Sequence, residues 1–148
     1  MANFTHSGYA AAAFNALTTE LNSLVVTAGT QSTLGSEIDN STNKYLLAEA
    51  EFLAGGTYTP TANGYIELWL LRAMDGTNYE DGSSSIVPAR RPDIIIPVRA
   101  GTTITPRPLA SGLIIPPGKY KALAGNRSGA TLPSSGNVIA LRPYSIAY

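Results

Sequence analysis

Cysteine is absent from the 148 residues, and histidine occurs once. The first absence removes disulfide frameworks and thiolate metal sites. The second leaves no imidazole cluster for zinc, and His6 forms a triad only if a distant serine and acid reach it. His6 is therefore read as a polar residue of an N-terminal segment. Charge is also scarce, at 14% of residues, where about 25% is usual. Ten basic side chains balance ten acidic ones, so the basic excess of a nucleic-acid binder is missing. The longest apolar run, Tyr9 to Phe14, falls far short of the ~20 residues of a membrane helix. The opening MANFTHSG has neither the positive start nor the apolar core of a secretory signal. No G-x-S-x-G, phosphate-cradling glycine loop or His-x-x-x-His pattern occurs, and the carboxylates are scattered. These absences lead us to expect no enzyme, cofactor, metal site, nucleic-acid partner or membrane, and synthesis in a cytoplasm.

What is present is short apolar runs punctuated by turn residues. The clearest set lies between Gly112 and Tyr144. Leu113-Ile114-Ile115 stops at Pro116-Pro117-Gly118, Lys119 to Ala124 resumes, and Val138 to Leu141 follows Pro133-Ser134-Ser135-Gly136-Asn137. Such spacing marks an all-β sandwich or barrel. Upstream, Leu46, Ala48, Ala50 and Phe52 alternate with Glu49 and Glu51, as a strand with one wet face does. Tyr65–Arg72 and Asp93–Arg99 are apolar on both faces, so the outer face needs a cover from the N-terminal segment or a neighbouring subunit. Pro97 puts the second of these at an edge or bulge, and Thr102–Thr105 reads as a further short strand. The total is about eight strands, the number of a jelly roll. A chain of this length fits one domain. We divide it into an N-terminal arm or strap, 1–43, and a β-sandwich, 44–148. In the arm, Tyr9, Ala13, Leu17, Leu21 and Leu24 recur at helical spacing and predict a short helix. Leu24–Thr27 could supply a first strand.

Few residues invite a chemical reading. Asp75-Gly76-Thr77-Asn78-Tyr79-Glu80-Asp81-Gly82 holds three carboxylates, but not at EF-hand spacing. It reads as a hydrated turn. Arg90 and Arg91, between Pro88 and Pro92, form the densest basic spot, either a solvated loop or two guanidiniums offered to an acidic partner. The N-x-[ST] triplets at Asn3, Asn40 and Asn126 are chance in a Ser- and Thr-rich chain.

Several stretches, taken in order, resemble a family of small virion structural proteins of tailed bacteriophages. They are Glu20 to Leu24, Ser36 to Asn43, Asp75 to Gly82, Pro116 to Lys121, Ser135 to Asn137 and Leu141 to Tyr144. The resemblance implies a jelly-roll cement or decoration protein, made in the host and seated on the outside of the head. Such a protein clamps neighbouring major capsid subunits and by mass action stabilises the assembled shell. A symmetric dimer or trimer is expected, since most soluble oligomers are closed and symmetric. Phe4, Tyr9, Phe14, Leu17 and Ile38 are the expected anchors of the arm, because aromatic and aliphatic anchors carry interface energy, and Arg90 and Arg91 are added to that interface. On this reading, removing residues 1–43 leaves a folded sandwich that no longer holds heads together. The alternative is a glycan-binding module on the tail or head surface, with Tyr58, Trp69 and Tyr79 as stacking candidates.

Overall fold

The computed structural model describes residues 5–115 and 117–147. Among them are nine strands in two antiparallel sheets: β1 (Thr5–Tyr9), β2 (Phe14–Leu17), β3 (Glu37–Asp39), β4 (Leu47–Leu53), β5 (Tyr65–Ala73), β6 (Ile94–Pro97), β7 (Leu109–Ile114), β8 (Lys119–Arg127) and β9 (Val138–Ala147). The first sheet runs β1-β9-β4-β7, with β2 also on β9, and the second runs β3-β8-β5-β6. Strand β4 pairs with β9 from Val138 to Tyr144, so β1 and β2 share the opposite edge of β9. Taken as one interrupted strand, β1 and β2 reduce the count to eight. The orders become first-eighth-third-sixth and second-seventh-fourth-fifth, which is the jelly roll.

Pro143 explains the interruption. Tyr9 pairs with Tyr144 and Phe14 with Leu141, so the four alanines 10–13 lie opposite only Arg142 and Pro143. Proline has no N–H for the ladder. Its carbonyl still accepts from the Ala10 N–H at 2.8 Å, after which the chain loops out before pairing resumes.

The arm is built into this architecture. The helix predicted over Tyr9 to Leu24 is not formed: Phe14–Leu17 is strand, and only Thr19–Leu21 makes a single 3-10 turn. The free edge of β9 outcompetes helix propensity, a weak local preference that tertiary pairing overrides. Leu24–Thr27 is not a strand either. Ala16, Leu17, Leu21 and Leu24 join Ala48, Phe52, Ile66, Leu68, Ile139 and Leu141 in one core between the sheets. Gly35 passes so close to β2 that an added Cβ would stand 2.3 Å from the Ala16 carbonyl oxygen.

Two other boundaries differ from the sequence reading. The alternating strand begins at Leu47, leaving Leu46 exposed while Ala48, Ala50 and Phe52 are buried. Thr102–Thr105 is no strand, only an isolated bridge between Tyr58 and Ile104. In β7 the ladder carries a bulge between its pairs to Ala48 and Ala50. Gly112 supplies the φ of +84° there, and a bulge of this kind blunts an exposed edge.

Candidate partner interface

The outer faces of the two sheets are finished differently. On the second sheet the outward residues Trp69, Leu71 and Leu123 form a buried cluster of their own, with Leu34 and Tyr79 packed against it. The two-faced strand β5 is therefore covered by its own chain and requires no neighbouring subunit. The cover is the 74–93 loop together with Leu34 of the N-terminal segment, and Gly82 lies so near that a Cβ would meet the Leu71 Cδ1 at 2.8 Å.

Arg90 fastens this loop. Strand β6 pairs with β5 only as far as Leu68, leaving the edge of β5 open beyond it. The Asp93 carboxylate accepts from the Leu70 N–H at 2.7 Å, and Arg90 Nη2 donates to the Leu70 carbonyl at 2.9 Å. Arg90 also pairs with Asp93 at 2.9 Å and Glu80 at 3.0 Å, while Glu80 accepts from the Arg72 N–H. Burial acts to raise the Glu80 pKa, but the Arg90 and Arg72 hydrogen bonds outweigh it and hold the carboxyl below its ordinary value. Side chains thus extend the ladder where the strand stops. The Arg90 guanidinium is engaged inside the molecule rather than presented, while Arg91 is exposed.

The Trp69 indole N–H donates to the Arg90 carbonyl at 3.2 Å beneath this loop. Trp69 is the single tryptophan, so it reports on the cover. Its emission is expected to be blue-shifted and resistant to acrylamide. Arg90→Ala is expected to red-shift it and to cost about 2 kcal/mol from the lost charged hydrogen bonds, measured by urea unfolding. An unchanged spectrum would mean that the loop holds without its clamp.

The 75–82 turn is internally bonded. Asp75 caps the backbone N–H groups of Thr77 and Asn78 at 2.8 and 2.7 Å. Hydrogen bonds from the Asn78 backbone and side chain, then the Thr77 backbone, lower the Asp75 pKa to about 2 from 3.8. A depressed carboxyl stabilises fully above its unfolded value, and that stabilisation is lost as pH falls through the folded one. Asp75 is therefore expected to support the turn down to pH near 2, read by carboxyl chemical shifts. Titration at an ordinary aspartate value would contradict the cap. Tyr79, a glycan candidate, donates its hydroxyl to Glu37, and this bond raises its pKa to about 12. Its ring lies under Lys121 Nζ at 4.7 Å. The other two glycan candidates, Tyr58 and Trp69, are buried, so neither offers a face for stacking.

The outer face of the first sheet has no such cover among the described residues. Register places Tyr9, Tyr144, Leu47 and Ile114 in one line across β1, β9, β4 and β7. Ile114 is 65% exposed, and Leu109, Leu46 and Tyr9 are exposed beside it. Tyr9 meets Tyr144 edge-on at 5.4 Å, lies under the Arg142 guanidinium at 4.9 Å, and donates to Glu49 at 2.8 Å. That bond to a carboxylate raises the phenol above its ordinary value. Glu49 faces Arg142 in the next row, and Arg107 grips Glu51 through two nitrogens at 2.6 and 3.0 Å. The charges are mutually paired around the apolar line, which leaves a face of mixed but neutral character.

Of the expected anchors, Phe4 lies outside the described residues. Leu17 is in the core at 1% exposure and unavailable to a partner. Tyr9 stands on the open face. Phe14 and Ile38 meet elsewhere, at the mouth of a cleft of about 360 Å³ between β2 and β3. Leu109 and Ile114 are not marked by any local pattern, because their exposure depends on β7 ending up at the sheet edge. Leu46 reads as part of the buried face because the start of β4 at Leu47 is not visible in the alternation. Comparison of the chain with protein-family models, curated proteins and solved structures finds no match.

Proposed function

We propose that this chain is a non-enzymatic structural protein of a tailed-bacteriophage virion. It binds the outside of the assembled head, clamps neighbouring major capsid subunits, and acts as a dimer or trimer. The observation that carries this reading is the uncovered outer face of the first sheet, where Tyr9, Leu109 and Ile114 are exposed around one line. On the second sheet Trp69, Leu71 and Leu123 are roofed, and the exposed aliphatics Met74, Ile86, Val87 and Ile95 lie on the roofing loop and on the edge strand β6. A jelly roll with one such face suits a lattice seat. Apolar side chains at the centre of a contact supply most of its energy, and a polar rim sets its register. The residues that resemble phage virion proteins supply the identity of the partner.

The test uses two substitutions at exposed isoleucines on opposite sheets. Ile114→Asp on the open face is expected to weaken binding to purified heads by about tenfold or more, with an unchanged melting temperature. Ile95→Asp on β6, where Ile95 is 51% exposed, is expected to leave binding intact. Equal effects, or none from Ile114→Asp, would remove the open face from the contact.

A further inference from the structure

The cleft between β2 and β3 follows from the interrupted first strand. Opposite Pro143, Ala10 and Ala12 contribute only methyl groups to its rim, so space that larger side chains would fill stays open. Its walls are Phe14, Ile38, Tyr45 and Leu141, with Tyr120 deeper. At about 360 Å³ it lies at the lower end of the range of ligand sites, with apolar walls and a polar rim that includes Asn15, Ser36, Asn40 and Asn43. Both flanking strands are edges: β2 pairs only with β9, and β3 only with β8. The Tyr120 hydroxyl is buried without a hydrogen-bond partner, an unmet demand that native structures rarely leave. The rim is acidic. Glu37 and Asp39 stand on β3, with Lys119 paired to Glu37 at 2.9 Å. Both carboxyls lie below their ordinary values, Glu37 through the Tyr79 and Lys119 hydrogen bonds and Asp39 through Ser41.

We propose that this cleft receives an apolar side chain from an extended segment of a second protein, laid along the free edge of β3. A basic residue beside that side chain meets Asp39. A free strand edge next to an apolar cavity is the arrangement of strand addition, in which main-chain bonds give affinity and the pocket gives specificity. The charge on the rim selects basic over acidic neighbours. The inference goes beyond head binding, since it concerns the chemistry of the segment and can be tested on the free protein.

The probes are three capped tripeptides, acetyl-Arg-Phe-Arg-amide and its analogues with central Ala or flanking Glu, titrated into the full chain. Amide NMR shifts at Phe14, Ile38, Asp39 and Tyr45 are expected to saturate with the first peptide, with a Kd on the order of 1 mM. Each analogue is expected to bind about tenfold more weakly, and amides of β3 are expected to exchange more slowly when the first is bound. Ala12→Trp, at an exposed position on the rim, is expected to plug the cleft and abolish these shifts. Asn43→Trp repeats the test should the first variant misfold. Absence of saturable shifts, shifts confined to the open sheet face, or binding indifferent to the plugs would overturn the proposal. So would p-cresol binding as tightly as the tripeptide, which would mark a small-molecule pocket instead.

Discussion

Removal of residues 1–43 is expected to abolish cooperative folding rather than to yield a stable sandwich. Three losses combine. Leu17, Leu21 and Leu24 leave the core they share with both sheets. Strands β1 and β2 leave β9, and β3 leaves β8, which turns two central strands into bare edges. Cross-links also go, among them Ser32, whose N–H donates to the Ala124 carbonyl at 2.8 Å and whose hydroxyl accepts from the Ala124 N–H at 3.0 Å. Single substitutions grade the same effect. Leu21→Ala, at a side chain with 0% exposure, is expected to cost about 2–5 kcal/mol, as large-to-small changes in tight cores do. Denaturant unfolding of the truncated chain decides the matter. A sharp transition near that of the full chain would mean that the arm is separable after all.

Asn126→Ala is expected to be the most damaging polar substitution. Asn126 is fully buried, and its amide serves four bonds. Its Nδ2 donates to the carbonyls of Leu24 and Ala130, both at 2.8 Å. Its Oδ1 accepts from the Ser128 N–H at 2.9 Å and hydroxyl at 2.7 Å. It thereby ties the arm to the end of β8. Truncation leaves several buried groups without partners, and each costs about 1–3 kcal/mol, so a loss above about 3 kcal/mol is expected in urea unfolding. Asn126→Asp is a sharper probe of the same site. It keeps the acceptors but sets a carboxylate against two carbonyls, so it should destabilise at neutral pH at least as strongly. A loss below about 1 kcal/mol for either variant would show that the site relaxes.

These two cases also mark what the residues reveal before folding. The sandwich was legible, because strand β4 alternates so cleanly and because proline and glycine punctuate the second half of the chain. The two-faced character of β5 correctly announced a cover, which the N-terminal segment supplies in part through Leu34 and the 74–93 loop completes. That the 74–93 loop closes over Trp69 depends on Arg90 and Asp93 finishing an unpaired strand edge, which no local pattern encodes. The arm misled for a related reason. Its leucines at helical spacing are equally spaced for the core of an interrupted strand and a turn, and the deciding partner, β9, lies more than 100 residues away. Asn126 and Asn40 looked like chance glycosylation triplets, whereas both are buried and bonded within the fold. Of the expected interface residues, Tyr9 stands on an open face and Phe14 and Ile38 at an open cleft. Leu17 and Arg90 serve the interior, because apolar character and charge alone do not distinguish a core or a clamp from a contact.

The most direct test of the proposed role is the copy number of this chain in purified virions, measured by quantitative mass spectrometry against the major shell protein. Seating on the head lattice predicts a stoichiometry comparable to that of the shell protein. A few copies per particle, or none, would contradict it.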